Sequence, residues 1–128
     1  MADRLIETAR AAQRRAYCPY SHYQVGAALE AEDGSVFAGC NVENASYGLT
    51  ICAERAAICS AVSAGAQRFR RLVVATNSEP PAPPCGACRQ VLAEFGAELL
   101  VEAVGPTRSK RWTMRELLPD AFTGELLR

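Results

Sequence analysis

Cys52-Ala53-Glu54 and Pro84-Cys85-Gly86-Ala87-Cys88 place three thiols and one carboxylate in two short clusters about thirty residues apart. Three thiolates can hold a Zn²⁺ and leave its fourth position open to water, the layout of a catalytic rather than a closed structural zinc site. The metal would lower the pKa of that water toward about 7, and a carboxylate two residues from a ligand is placed to carry the proton away. One zinc per chain is therefore expected on Cys52, Cys85 and Cys88, with Glu54 moving protons. Three thiolates also leave a surplus of negative charge that weakens the metal as a Lewis acid. Arg55 and Arg89 each follow a ligand directly, and at least one of them is expected to donate hydrogen bonds to the sulfurs. The rival metal reading is a structural knuckle. It needs a fourth ligand from Cys40, Cys59 or His22, and it usually has two Cys-x-x-Cys pairs where this chain has one.

The surrounding pattern supplies elements to hold these groups. Residues 3–17 carry Leu5, Ile6, Ala9, Ala12 and Ala16 at helical spacing, with Asp3 as a cap and Pro19 just beyond. Residues 23–31 and 35–42 are strand-like and joined through Asp33-Gly34, a hairpin signal. Residues 52–64 are Ala-rich and end before Gly65, with Thr50 or Ile51 near the start of that helix. Residues 71–76 read as a buried strand, and residues 77–84, with four prolines, as a loop. A second helix over 85–95, a strand over 98–104 and one more short strand near Arg111 follow. Thr113-Met114-Arg115-Glu116 is a capping box for a last short helix stopped by Pro119. This order predicts an α/β fold, a three-layer α-β-α sandwich around a mixed sheet of about five strands. Both metal clusters fall at helix starts, where unpaired N–H groups and the helix dipole favour thiolates.

The chain has 128 residues, enough for one domain over 1–128, and 22% of them are charged. Net charge is zero, which argues against nucleic acid as a partner, because phosphate binding needs a clustered positive field. The runs Arg68-Phe69-Arg70-Arg71 and Arg108-Ser109-Lys110-Arg111 read as solvated strand ends and turns. No stretch is long and apolar enough for a membrane helix, and the charged N-terminus lacks a signal-peptide core. Six cysteines without such a signal point to reduced thiols in the cytoplasm, with Cys18, Cys40 and Cys59 as small buried hydrophobes.

The chain resembles the small homotetrameric, zinc-dependent cytidine deaminases over nearly its full length. The segments that carry the likeness are Tyr17-Cys18-Pro19-Tyr20-Ser21, Val25-Gly26-Ala27-Ala28-Leu29, Gly39-Cys40-Asn41-Val42-Glu43-Asn44, Cys52-Ala53-Glu54-Arg55, Pro84-Cys85-Gly86-Ala87-Cys88-Arg89-Gln90-Val91 and Glu116-Leu117-Leu118-Pro119. The zinc frame is the deaminase signature with Cys52 in the place of a histidine. The resemblance implies hydrolysis of cytidine and 2′-deoxycytidine to the uridine forms with release of ammonia, a step of pyrimidine salvage. It implies that Asn41 and Glu43 hydrogen-bond the ribose hydroxyls, and that Tyr23 stands where the family usually has a Phe packing on the base. It further implies a homotetramer with shared sites, in which Tyr47 reaches a neighbouring site and Phe122 covers the nucleoside from another chain. Blasticidin-type deaminases share the zinc frame, but the Asn-x-Glu-Asn segment favours cytidine. Polynucleotide-editing relatives usually have His as first ligand and basic surfaces. A scaffold that has lost catalysis is disfavoured because every catalytic position is filled.

Overall fold

The computed structural model describes residues 3–127. Helix α1 (Arg4–Gln13) opens at Asp3, whose carboxylate accepts from the Leu5 and Ile6 amides, two donors that a helix start leaves free. The helix ends four residues short of the expected Tyr17. The Tyr17 amide instead donates to the Asn41 carbonyl (3.0 Å), and its carbonyl accepts from the Glu43 amide (2.8 Å), so the chain is drawn alongside residues 41–43. Strands β1 (Gly26–Ala31) and β2 (Val36–Cys40) form the expected hairpin, with Gly34 at φ +91° in the turn. Next come α2 (Ala53–Ser63), β3 (Phe69–Ala75), α3 (Gly86–Ala93), β4 (Leu100–Val104), β5 (Ser109–Thr113) and α4 (Met114–Leu117). The Thr113–Glu116 capping box that opens α4 is complete.

The five strands make one mixed sheet in the order β2-β1-β3-β4-β5, with β3 and β4 parallel and the other neighbours antiparallel. Successive side chains of β3 go to opposite faces. Leu72 and Val74 pack with α2, α3 and α4, alongside Leu29, Leu92, Val101 and Met114. Val73 and Ala75 pack with Leu5 and Ala9 of α1. Burial on both faces is why residues 72–75 form an unbroken apolar run. The first basic run lies at a strand end as expected, while the second reaches into the body of an edge strand. Phe69–Arg71 is the opening of β3, and Ser109–Arg111 lies in β5, where charge protects an edge strand from further pairing. Glu102 of β4 is only 2% exposed. Arg71 neutralises it at 2.5 Å and also reaches Asp3 at 2.7 Å, tying the start of α1 to the sheet. No helix among the described residues is long and apolar enough to cross a membrane.

The register decides where the metal cluster can form. Gly26 pairs with both Cys40 and Ala75, and Ala75 pairs with Val104, so β2, β3 and β4 all finish along one end of the sheet. The chain leaves that end twice into a helix, once toward Cys52 and once toward Cys85. Two glycines bring helices against the sheet backbone. A Cβ on Gly26 would collide with the Ala9 carbonyl of α1, and one on Gly39 would sit 2.6 Å from the Ala53 carbonyl at the start of α2. Gly39 thus seats the turn that carries Cys52 and Glu54. Gly39→Ala is expected to push that turn outward, lowering stability by about 1–3 kcal/mol as overpacking does and weakening zinc retention against a chelator. Unchanged melting and unchanged zinc loss would contradict this placement of α2.

Candidate metal centre and its pocket

Cys52 and Cys85 occupy equivalent places. Each is the residue just before its helix, with extended backbone (φ −74°, ψ 154° and φ −69°, ψ 170°), and neither side chain bonds back to the helix. A Ser or Asp at such a position turns its oxygen onto the first amides. A thiol is a weak acceptor and stays available for other work. Cys52 itself is therefore the cap residue of α2, in keeping with a helix expected over 52–64, and Thr50 and Ile51 lie just before it. Cys88 lies one turn into α3 and is fully buried. The three sulfurs lie within 4.8 Å of one another. Zn–S bonds of about 2.3 Å in a tetrahedral site separate sulfurs by about 3.8 Å, a spacing that small rotamer changes reach. Cys18, Cys40, Cys59 and His22 stand outside this cluster, and these three thiols are not the buried hydrophobes expected, since Cys18 and Cys40 are half-buried and Cys59 is exposed. His22 holds a turn at φ 59°, with its amide on the Cys18 carbonyl.

Arg55 places Nη2 3.3 Å from the Cys52 sulfur and 3.3 Å from the Thr50 carbonyl. Its Nε is buried without a partner among the described residues. An orphan donor of this kind costs about 1–3 kcal/mol, and here it belongs to the arginine already on the sulfurs. The donor set thus fits a zinc whose three thiolates carry surplus negative charge. Arg89 turns elsewhere. Its guanidinium donates to the carbonyls of Pro84 (2.9 Å) and Leu117 (2.8 Å), bracing the entry to α3. Electrostatics differ across the cluster. A hydrogen bond from Cys88 and the adjacent Arg55 hold the Cys52 thiol at about 5, against the cost of burial. Cys88, which donates that hydrogen bond and is buried beside Glu54, is pushed up. Glu54, in the first turn of α2, is 5% exposed, and burial raises its pKa. A shift in that direction makes the carboxylate a better proton acceptor.

A cavity of about 230 Å³ leads down to Cys52, Glu54 and Cys85. Its walls are mainly apolar (Val25, Val74, Ala82, Pro83), with Tyr23, Asn41 and Thr76 among them. A second cavity of about 360 Å³ is lined by Tyr20, Ser21, Glu43, Tyr47 and Thr50. Thr50 lines both, so the two spaces adjoin. The Asn41 side chain accepts from the Val25 amide (2.9 Å) and donates to the Tyr23 carbonyl (2.8 Å). This side chain stands in for a strand partner, which is why β1 starts at Gly26 and not at Tyr23. The Glu43 carboxylate accepts from the Tyr20 and Ser21 amides and from the Ser21 hydroxyl, and these bonds lower its pKa. Tyr47 is 75% exposed and stacks edge-on against Tyr20 at 6.0 Å. Phe122 is 59% exposed, lines neither cavity, and is held through its carbonyl by Gln90. The fold therefore gathers Cys52, Glu54, Cys85, Tyr23 and Asn41 around one space, with Cys88 buried behind it in the sulfur cluster, and Glu43 and Tyr47 around the next, and it leaves Phe122 outside both. Sequence reasoning missed Thr50 and Thr76, whose place depends on loop paths. The only signal for either was a polar residue flanking a metal segment or ending a buried strand.

The family model for the cytidine and deoxycytidylate deaminase zinc-binding region matches residues 1–103. The cytidine deaminase of Sporosarcina psychrophila is 45% identical over 96% of this chain and 92% of its own length. That of Halalkalibacterium halodurans is 49% identical over 94% and 93%. Among solved structures, the cytidine deaminase of Burkholderia pseudomallei superposes with a TM-score of 0.91 at 49% identity, covering 95% of this chain and all of the other. The Mycobacterium tuberculosis cytidine deaminase gives 0.80 at 47% identity over 92% and 94%.

Purified protein is expected to carry about one zinc per chain, and Cys85→Ala to lose it, because two thiolates and an open rim hold the ion poorly. Metal-to-protein ratios from mass spectrometry of dialysed samples decide this. Full occupancy in the variant would remove Cys85 from the ligand set.

Proposed function

The chain belongs to the cytidine and deoxycytidylate deaminase family, and from that premise we propose that it hydrolyses the C4 amine of cytidine and 2′-deoxycytidine. One water is consumed, and uridine or 2′-deoxyuridine and ammonia are released. The observation that carries this reading is the buried Glu54, lining the 230 Å³ cavity together with Cys52 and Cys85, which converge with Cys88 in one sulfur cluster. When bound, zinc supplies the Lewis acidity that makes a water acidic near neutral pH. Cys52, Cys85 and Cys88 would hold it, and Arg55 would offset their charge. Glu54 takes the proton of the attacking water, passes it to the ring nitrogen, and later delivers a proton to the leaving amine. Burial raises its pKa, which favours the first of these transfers, the uptake of the water proton.

The base would sit between Val74 and the Tyr23 ring, and the sugar would extend past Thr50 toward Asn41 and Glu43. The continuity of the two cavities at Thr50 supports this. Each polar group keeps some capacity for a hydroxyl. A carboxylate has about four acceptor sites, of which Glu43 uses three, and the Asn41 amide retains one N–H. Zero net charge favours free nucleosides over oligonucleotides. We also propose a homotetramer of dihedral symmetry with sites completed across subunits. Tyr47, Leu49, Phe122, Leu126 and Leu127 are large hydrophobic residues exposed on the protomer, and cover from neighbouring subunits is what this assembly would supply. Six free thiols suit a reducing cytoplasm, and the reaction suits recovery of pyrimidine nucleosides.

Loss of the cytidine absorbance band on mixing with protein tests the activity. Cytidine and 2′-deoxycytidine are expected to react and a single-stranded oligonucleotide to remain intact. Glu54→Gln keeps shape without proton transfer, so kcat is expected to fall at least about 10²–10⁴-fold with zinc retained. Activity within about tenfold of wild type would refute the role. Subunit sharing is tested by mixing Glu54→Gln with Phe122→Asp under conditions that exchange protomers. Partial return of activity is expected, and none despite proven exchange would exclude shared sites.

A further inference from the structure

Two loops meet over the cavity. Residues 18–25 carry Tyr23, and residues 76–84 carry Thr76, Ala82 and Pro83 into Cys85. The second loop is anchored at its root. Gln13, 6% exposed, donates to both the Gln24 carbonyl (3.2 Å) and the Asn77 side chain (3.1 Å), linking the two loops from below. Glu79 accepts from the Thr107 amide and hydroxyl and from the Arg108 amide, binding the loop to the β4–β5 turn. Pro80, Pro81, Pro83 and Pro84 stiffen what lies between. At the rim, the Tyr23 hydroxyl is hydrogen-bonded to the Ser78 hydroxyl. The Tyr23 backbone is fixed as well, its amide on the Ser21 hydroxyl (3.0 Å) and its carbonyl on the Asn41 amide (2.8 Å).

A ring held at its backbone and at its hydroxyl cannot swing about χ1 without breaking a bond. We propose that Ser78 is a positioning residue: through the Tyr23 hydroxyl it clasps the two loops and holds the aromatic wall of the cavity in place before a nucleoside arrives. The proposal rests on the cavity being the nucleoside site. Ordering a side chain before binding removes that ordering cost from association. The wall touches the base in the ground state and the transition state alike, so the benefit falls on KM and not on kcat. A phenylalanine at position 23 would keep the stacking ring and lose the clasp.

The test is steady-state kinetics with cytidine on the zinc-loaded protein, with zinc content and loop hydrogen exchange measured for each variant. Ser78→Ala and Tyr23→Phe are each expected to raise KM about 3–10-fold, with kcat within about twofold and zinc unchanged. The double variant is expected to be no worse than either single one, because both remove the same bond. Ser78→Thr, which keeps a hydroxyl, is expected to retain wild-type KM, and the amides of Ser78 and Glu79 to exchange faster in Ser78→Ala. Unchanged KM in both single variants, additive losses in the double, or zinc loss in Ser78→Ala would each overturn the clasp. If zinc-loaded wild type fails to turn over cytidine, the functional reading fails separately. Faster exchange in both Ser78→Ala and Tyr23→Phe would then still support the clasp, and unchanged exchange would overturn it.

Discussion

Three thiols within 4.8 Å of one another cannot all ionise without a cation among them. Two unit charges at about 4–5 Å repel by about 3–4 kcal/mol even at an effective dielectric of about 20. The opposite shifts of Cys52 and Cys88, one lowered and one raised, follow first from the hydrogen bond that Cys88 donates to Cys52, with burial adding to the rise at Cys88. Much of the architecture arranges groups around the three thiols. Cys52 and Cys85 each stand at a helix start, Arg55 sets a guanidinium against the cluster, and the shared end of β2, β3 and β4 brings both helix starts to one place. Gly26 and Gly39 let helices α1 and α2 lie on opposite faces of the same hairpin.

The cluster and the pocket are built by different means. The sulfurs and Glu54 sit on helices locked into the core by Ala53, Ala57, Ile58 and Leu92, so their positions are stiff. The pocket walls come from loops, and side chains do the work that a ladder would do elsewhere. Asn41 acts as a strand partner for residues 23–25, Glu43 gathers the amides of Tyr20 and Ser21, and Gln13 spans two loops from beneath. Asn41 and Glu43, proposed above to read the sugar, therefore also hold up the walls, and a substitution at either would disturb those walls whatever it does to binding.

Much of this was legible in the residue order. Metal ligands announce themselves by type and spacing, and the burial of residues 72–75 on both faces follows from an apolar run flanked by breakers. The Thr113–Glu116 box marked a helix start to the residue. What failed was decided by contacts distant in sequence. α1 stops at Gln13 because residues 41–43 capture Tyr17, and β1 begins late because a side chain replaces the ladder before Gly26. Arg55 and Arg89 both follow a ligand, yet only Arg55 turns to the sulfurs, since the carbonyls of Pro84 and Leu117 claim Arg89. Nothing local distinguishes the two. Ser78 and Gln13 were invisible for the same reason, as each matters through a partner more than fifty residues away.

The central claim is a zinc held by three thiolates with its fourth position open. X-ray absorption at the zinc edge on the purified protein reads this directly. The account predicts three sulfur neighbours at about 2.3 Å and one oxygen or nitrogen neighbour at about 2.0 Å. Four sulfurs, or two sulfurs with two nitrogens, would contradict it.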